Sequence, residues 1–148
     1  MPLVFEEAHA APDKKKVNEE YFVLSNQGAT AVSTAGLHVI VGRPGKRGSV
    51  MGQIDPGFVL QPGEKILILS GIPGRQAQGT PPAREGMRTY YLFQREGLLK
   101  GSGTILRFAM NQVDVARVVY DREAANGVRA EKAEKAESAE AEKGTEGS

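Results

Sequence analysis

Cysteine and tryptophan are absent from this chain, histidine occurs twice, and no stretch approaches the ~20 apolar residues of a membrane-spanning helix. Without cysteine there is no disulfide, no thiol nucleophile and no thiolate-ligated zinc. With His9 and His38 as the two imidazoles, a metal site would need distant residues to meet and carboxylates to join them. The nucleophile-elbow motif Gly-x-Ser-x-Gly does not occur. No catalytic residue, metal or cofactor is therefore expected, and no small-molecule substrate. The lack of cysteine suits a reducing compartment. Residues 1–16 lack the about 7–15-residue apolar core of a secretory signal, so the expected location is cytoplasmic, with no membrane partner.

Turn chemistry is what the chain has in quantity. With 18 Gly and 8 Pro, its apolar segments are short and frequently interrupted. Runs rich in β-formers fall at residues 20–26, 37–41, 50–54, 58–60, 65–69, 89–93, 104–110 and 113–120. Gln61, Pro62, Gly63 and Glu64 suit a type II turn. Residues 65–69 read Lys-Ile-Leu-Ile-Leu, an uninterrupted apolar run that suits a central strand covered on both faces. In the last run, strict alternation cannot keep Asp114 and Arg117 off the face of Val113 and Val115, so a bulge is expected near Ala116. In residues 89–93, alternation groups Tyr91 and Phe93 with Thr89 and places Tyr90 opposite. Short strands at this spacing, with no amphipathic helix before residue 122, indicate an all-β sandwich or barrel.

Charge separates the ends from the body. Residues 17–122 hold 12 Lys/Arg against 8 Asp/Glu, a balance of +4. Residues 123–148 hold 4 against 7, a balance of −3, and no large apolar residue follows Val128. The expected organisation is a flexible N-terminal arm at 1–16, a β domain at 17–122, and a charged tail at 123–148. That tail reads as disordered or partly helical, because it has no face to bury.

The order of the segments resembles a known family. Glu20, Tyr21, Phe22, Val23, Leu24, Ser25, Asn26, Gln27 and Gly28 resemble the opening strand of the lamin tail domain. Val32 through Leu37 resemble its next step, where a glycine precedes the second strand. Phe58 through Ile68 resemble its Leu-x-Pro-Gly-Glu turn and following strand, and Val113 through Tyr120 its last strand. Leu37 follows Gly36 where that family usually has Trp. The resemblance implies an all-β, immunoglobulin-like β-sandwich of the lamin-tail type, in a bacterial-type stand-alone form. It also implies a protein without enzymatic activity, acting as an interaction or scaffold module with a protein partner.

Two Gly/Pro-rich loops carry the remaining interest. Residues 42–49 present Arg43, Lys46 and Arg47 around Pro44 and Gly45. This is no Walker loop, since Ile40 stands where its first Gly belongs and Arg47 follows the Lys. Its Gly-Arg-Pro centre is similar to a minor-groove hook. Residues 71–88 hold Arg75, Arg84 and Arg88 among three prolines and four glycines, too broken for a strand or helix. The expected binding residues are Arg43, Lys46, Arg47, Arg75, Arg84 and Arg88. They serve either a protein partner or, as the alternative, weak nucleic-acid binding through phosphate contacts.

Overall fold

Alternating apolar residues build two sheets that share one core. The computed structural model describes residues 2–13, 15–46, 48–54, 57, 59–82, 84–111 and 113–129. Its strands are β1 (Leu3–His9), β2 (Tyr21–Asn26), β3 (Val32–Ser33), β4 (His38–Gly42), β5 (Ser49–Gln53), β6 (Val59–Leu60), β7 (Lys65–Leu69), β8 (Arg88–Tyr91), β9 (Ile105–Met110), β10 (Val113–Tyr120) and β11 (Val128–Arg129). Single 3-10 turns occur at Val17–Glu19, Gln76–Gln78 and Ala125–Gly127. One sheet runs β1-β2-β7-β8, the other β11-β10-β9-β4-β5, and β3 pairs with β6 in a short ribbon. Pairing is antiparallel except between β7 and β8. The fold is an all-β sandwich.

The core lies between the sheets. Phe22, Leu24, Ile66 and Ile68 meet Val39, Leu106, Phe108 and Val118 there, and Phe5 packs its edge on Phe108 at 5.1 Å and 77°. Leu37 is fully buried in this layer. β7 is apolar on both faces, as its sequence predicts. Ile66 and Ile68 point into the core, while Leu67 and Leu69 form a second cluster with Val23 on the far side. The Pro62-Gly63 turn also follows the sequence, with Gly63 at φ 86 and Glu64 N–H bonded to Gln61 O. The expected bulge in β10 appears as a register shift between Asp114 and Ala116.

Three expectations need correction. The N-terminal arm is not free of the domain: β1 pairs with β2 and buries Leu3, Phe5 and Ala8. A bulge between Phe5 and Glu7 breaks the alternation that would have marked it as a strand. The domain also extends past residue 122. β11 pairs with β10, and Arg129 Nε sits 3.1 Å from Asp121 Oδ2. The expectation of a disordered or helical tail falls on residues 130–148, outside the described residues. Finally, Tyr91 and Phe93 do not share a face. The strand ends at Tyr91, Leu92 turns inward, and Phe93 adopts φ 58 with its side chain 62% exposed. Tyr90 packs on the core and Tyr91 on the outer cluster.

Two buried polar residues tie loops to the sheets. The Glu20 carboxylate accepts from Ser70 Oγ at 2.6 Å and from the N–H groups of Leu98 and Leu99 at 2.7 and 3.0 Å. Asn26 Nδ2 donates to Leu60 O and Thr30 O, and its Oδ1 accepts from Gly28 N–H. At the open side of the sandwich, Tyr90 Oη donates to Gln53 O and Gln94 Nε2 to Met51 O. These side chains cap carbonyls of edge strand β5 that would otherwise invite another strand.

Glu20→Ala should cost about 2–4 kcal/mol in urea unfolding, because two buried N–H groups lose their acceptor. A loss below about 1 kcal/mol would show that water replaces the carboxylate. Gly127→Ala should destabilise by at least about 1 kcal/mol. Gly127 has φ 77, and a Cβ there would strike the Ala8 carbonyl oxygen. An unchanged melting temperature would mean that the 125–129 segment shifts away from β1 at no cost.

Candidate functional site

The outer faces of the two sheets differ in what covers them. On the four-stranded sheet, alternation turns Tyr21, Val23, Leu67 and Leu69 outward, and Met87 and Tyr91 pack against them. The long Gly/Pro segment between β7 and β8 crosses this face because those strands run parallel and need a crossover. It is anchored at both ends. Gln78 Oε1 accepts from Ile72 N–H, and Gln78 Nε2 donates to Gln94 O. Arg84 Nη1 and Nη2 bond both oxygens of Glu7 at 3.1 and 2.9 Å, and Nη2 also donates to Tyr21 Oη at 3.0 Å. The guanidinium lies 5.3 Å from the Tyr21 ring centroid, and His9 stacks beside that ring at 4.7 Å.

Arg84, expected from the sequence as a partner-binding residue, is thus engaged as a clamp on the chain's own segment. A bidentate guanidinium–carboxylate pair is among the stronger polar contacts. It holds the Glu7 carboxyl below its ordinary range against the opposing effect of burial, and raises Arg84. Glu6, beside it, is likewise lowered by Lys65, whose Nζ is 2.8 Å from Glu6 Oε1. Arg75 is exposed at the entry to the Gln76–Gln78 turn, and Arg88 is exposed at the start of β8.

The five-stranded sheet carries the other basic loop on its opposite, outer face. Arg43 opens a turn closed by Lys46 N–H to Arg43 O, with Gly45 at φ 74. Arg43 Nη1 donates to Ser102 O at 3.0 Å, fixing the turn over the 101–104 bend. Arg47 lies outside the described residues. The two basic loops therefore sit on opposite faces of the sandwich and do not merge into one patch.

Register supplies the cations that sequence reasoning missed. Core residues Leu106 and Phe108 point inward, so Ile105, Arg107 and Ala109 point out. Arg107 pairs with Arg117 across β9 and β10, and with Ile40 across β9 and β4, which in turn pairs with Val50. One cross-strand row on this face thus reads Val50, Ile40, Arg107, Arg117. The alternation of β9 hints at Arg107. Arg117 comes opposite it only because the β10 bulge shifts the register, which composition does not reveal.

Two hollows lie along this face. The basic one, of about 260 Å³, is lined by Arg43, Lys46, Gly48, Ile105, Arg107 and Arg117, among others. The second, of about 530 Å³, is lined by His38, Ile40, Val50, Gln53, Ala109 and Asn111, together with Gly36. Val50 is 59% exposed at its edge. Asp114 Oδ1 lies 3.4 Å from Arg107 Nη1, and its Oδ2 lies 3.1 Å from Arg117 Nη1. Among the described residues there is no group of three or more His, Asp or Glu side chains placed to hold a metal ion. No described helix is long and apolar enough to cross a membrane. A scan of protein-family models finds no match to this chain, and no curated protein matches it.

The Glu7 and Glu6 shifts give a pH prediction. Their folded pKa values lie below the ordinary 4.5, so the stability they add is present above about 4.5 and is lost as pH falls through the folded values. Glu7→Gln should lower the urea midpoint at pH 7 and flatten its decline between pH 4.5 and 3. Parallel wild-type and variant curves would show that the clamp adds no net stability.

Proposed function

We propose that this protein is a non-catalytic docking module, of the cytoplasm, whose working surface for a protein partner is the outer face of the five-stranded sheet. One observation carries the reading. A hollow of mixed lining edged by exposed Val50 adjoins a hollow lined by Arg43, Lys46, Arg107 and Arg117, whereas the outer face of the opposite sheet is packed by Met87 and crossed by the segment that Arg84 fastens. Apolar surface next to cations suits a peptide segment with both apolar and acidic groups.

Five of the described carboxylates are already engaged within the protein, which favours a binding rather than a catalytic role. Glu6, Glu7, Asp114 and Asp121 each face a cation, and Glu20 is fully engaged with N–H and hydroxyl donors. The resemblance to lamin tail domains, with Leu37 buried where that family usually has Trp, points the same way. Nucleic-acid binding through the 42–49 loop is the competing reading. It gains from the cations but not from exposed Val50, and Phe93, the exposed large aromatic among the described residues, extends from the segment after β8, in the other sheet.

A photo-crosslinking residue at position 50 should yield a protein adduct in host extract that survives nuclease treatment. The same residue at exposed Thr89, in the other sheet, should give none. An adduct lost on nuclease digestion would replace this reading with the nucleic-acid one.

A further inference from the structure

We infer that this chain pairs with a second copy of itself, through Phe93 and the hollow beside it at the open side of the sandwich. This contact is separate from the docking face proposed above and does not depend on it.

Phe93 carries two costs at one position. Its φ of 58 puts a bulky side chain in the left-handed region, where glycine is at ease. Its ring is 62% exposed, although phenylalanine is among the side chains that gain most from burial. A glycine here would remove both. Strain of this kind persists where the surroundings impose it, and it collects at binding sites. The surroundings do impose it. Phe93 N–H donates to Gly71 O at 2.9 Å, and Gln94 N–H to Ser70 O at 2.8 Å. Gln94 Nε2 donates to Met51 O at 2.6 Å and to Leu92 O at 3.1 Å. The backbone that carries the ring is thus held before any partner arrives, which lowers the ordering cost of binding.

The ring has a hole next to it. A hollow of about 390 Å³ is lined by Met51, Gln94 and Leu98, among others, with Phe93 as one wall. That exceeds the roughly 150 Å³ that admits a benzene molecule. Met51 is an adaptable lining, because its flexible thioether packs well on ring edges. An unrelated partner would need only a knob or only a hole. Here both lie on one patch, which is what a twofold pair requires: each Phe93 enters the hollow of the other copy.

The charges of the same segment are also self-complementary. Arg95 is exposed and has no ion-pair partner among the described residues. Glu96 Oε1 lies 3.2 Å from Lys100 Nζ, in a pair with both side chains largely in solvent. Such a pair is weak, so Glu96 is available to Arg95 of the second copy. One ring and one short loop from each copy make a contact smaller than the about 1,200 Å² of a stable complex. The expected dissociation constant is therefore on the order of 100 µM.

The test is sedimentation equilibrium of the full chain from roughly 10 µM to 1 mM, where a reversible monomer–dimer equilibrium should appear. Phe93→Gly should be monomeric throughout, with a melting temperature in dilute solution no lower than that of the wild type, since glycine relieves the backbone. Arg95→Glu should weaken pairing ~5-fold, and Arg95→Glu combined with Glu96→Arg should restore it to within about twofold. Both charged side chains are exposed, so this second set decides the matter even if Phe93→Gly fails to fold. A wild-type chain that stays monomeric at ~1 mM would overturn self-pairing, whatever the adduct at position 50 shows. So would a dimer that Phe93→Gly leaves intact. A double variant that does not recover pairing would overturn the twofold arrangement.

Discussion

β7 is apolar on both faces, and most of the architecture answers to that. Ile66 and Ile68 fill the core, while Leu67 and Leu69 need cover on the other side. Burying a leucine side chain is worth about 1.5–3 kcal/mol, so leaving two exposed would forfeit a large part of a small domain's stability. The cover comes from the crossover that the parallel β7–β8 pair requires. Met87 supplies apolar contact, and Arg84 fastens the crossover to β1 and β2 through Glu7 and Tyr21. One outer face of the sandwich is thereby used by the protein itself. The other is the face proposed above for docking.

Buried polar hubs do for the loops what β7 does for the sheets. Glu20 sits just before β2 yet bonds Ser70, just after β7, and the 98–99 backbone. A buried carboxylate is tolerated only when donors surround it, and here three do. Asn26 ends β2 and joins it to Leu60 at the end of β6. The 94–101 segment, which has no regular structure, therefore has a defined place beside β2, and the 27–30 turn has one beside β6. This fixes the 101–104 bend, on which Arg43 rests.

The strands that sequence reasoning located were those marked by a local run of β-formers between turn residues: β2 and β4 through β10. The bulge near Ala116 was also foreseeable, because Asp114 and Arg117 conflict with strict alternation within one strand. β1 escaped notice for the opposite reason. Its bulge places Glu6 and Glu7 together, which looks like a solvated arm until Lys65 and Arg84 arrive from distant segments to pair with them. Arg84 was read as a binding residue on the same ground, since its partner lies 77 positions away. Charge in a Gly/Pro loop says that a cation is present. Only the register between elements says whether it is already engaged.

The same logic separates the two basic loops. In the 71–88 segment, the cation of Arg84 meets a carboxylate oxygen for each side of its fork. On the five-stranded sheet, Asp114 meets both Arg107 and Arg117, and among the described residues Arg43 donates to the neutral carbonyl of Ser102. A charge-assisted bond to a carbonyl orients a guanidinium without neutralising it. A cation that is held in place but not neutralised raises the local potential, and an incoming anion meets it with little reorganisation. The engagement of Arg84 within the chain, set beside the carbonyl-bound Arg43, is what favours the β4–β5 side in the docking reading proposed above.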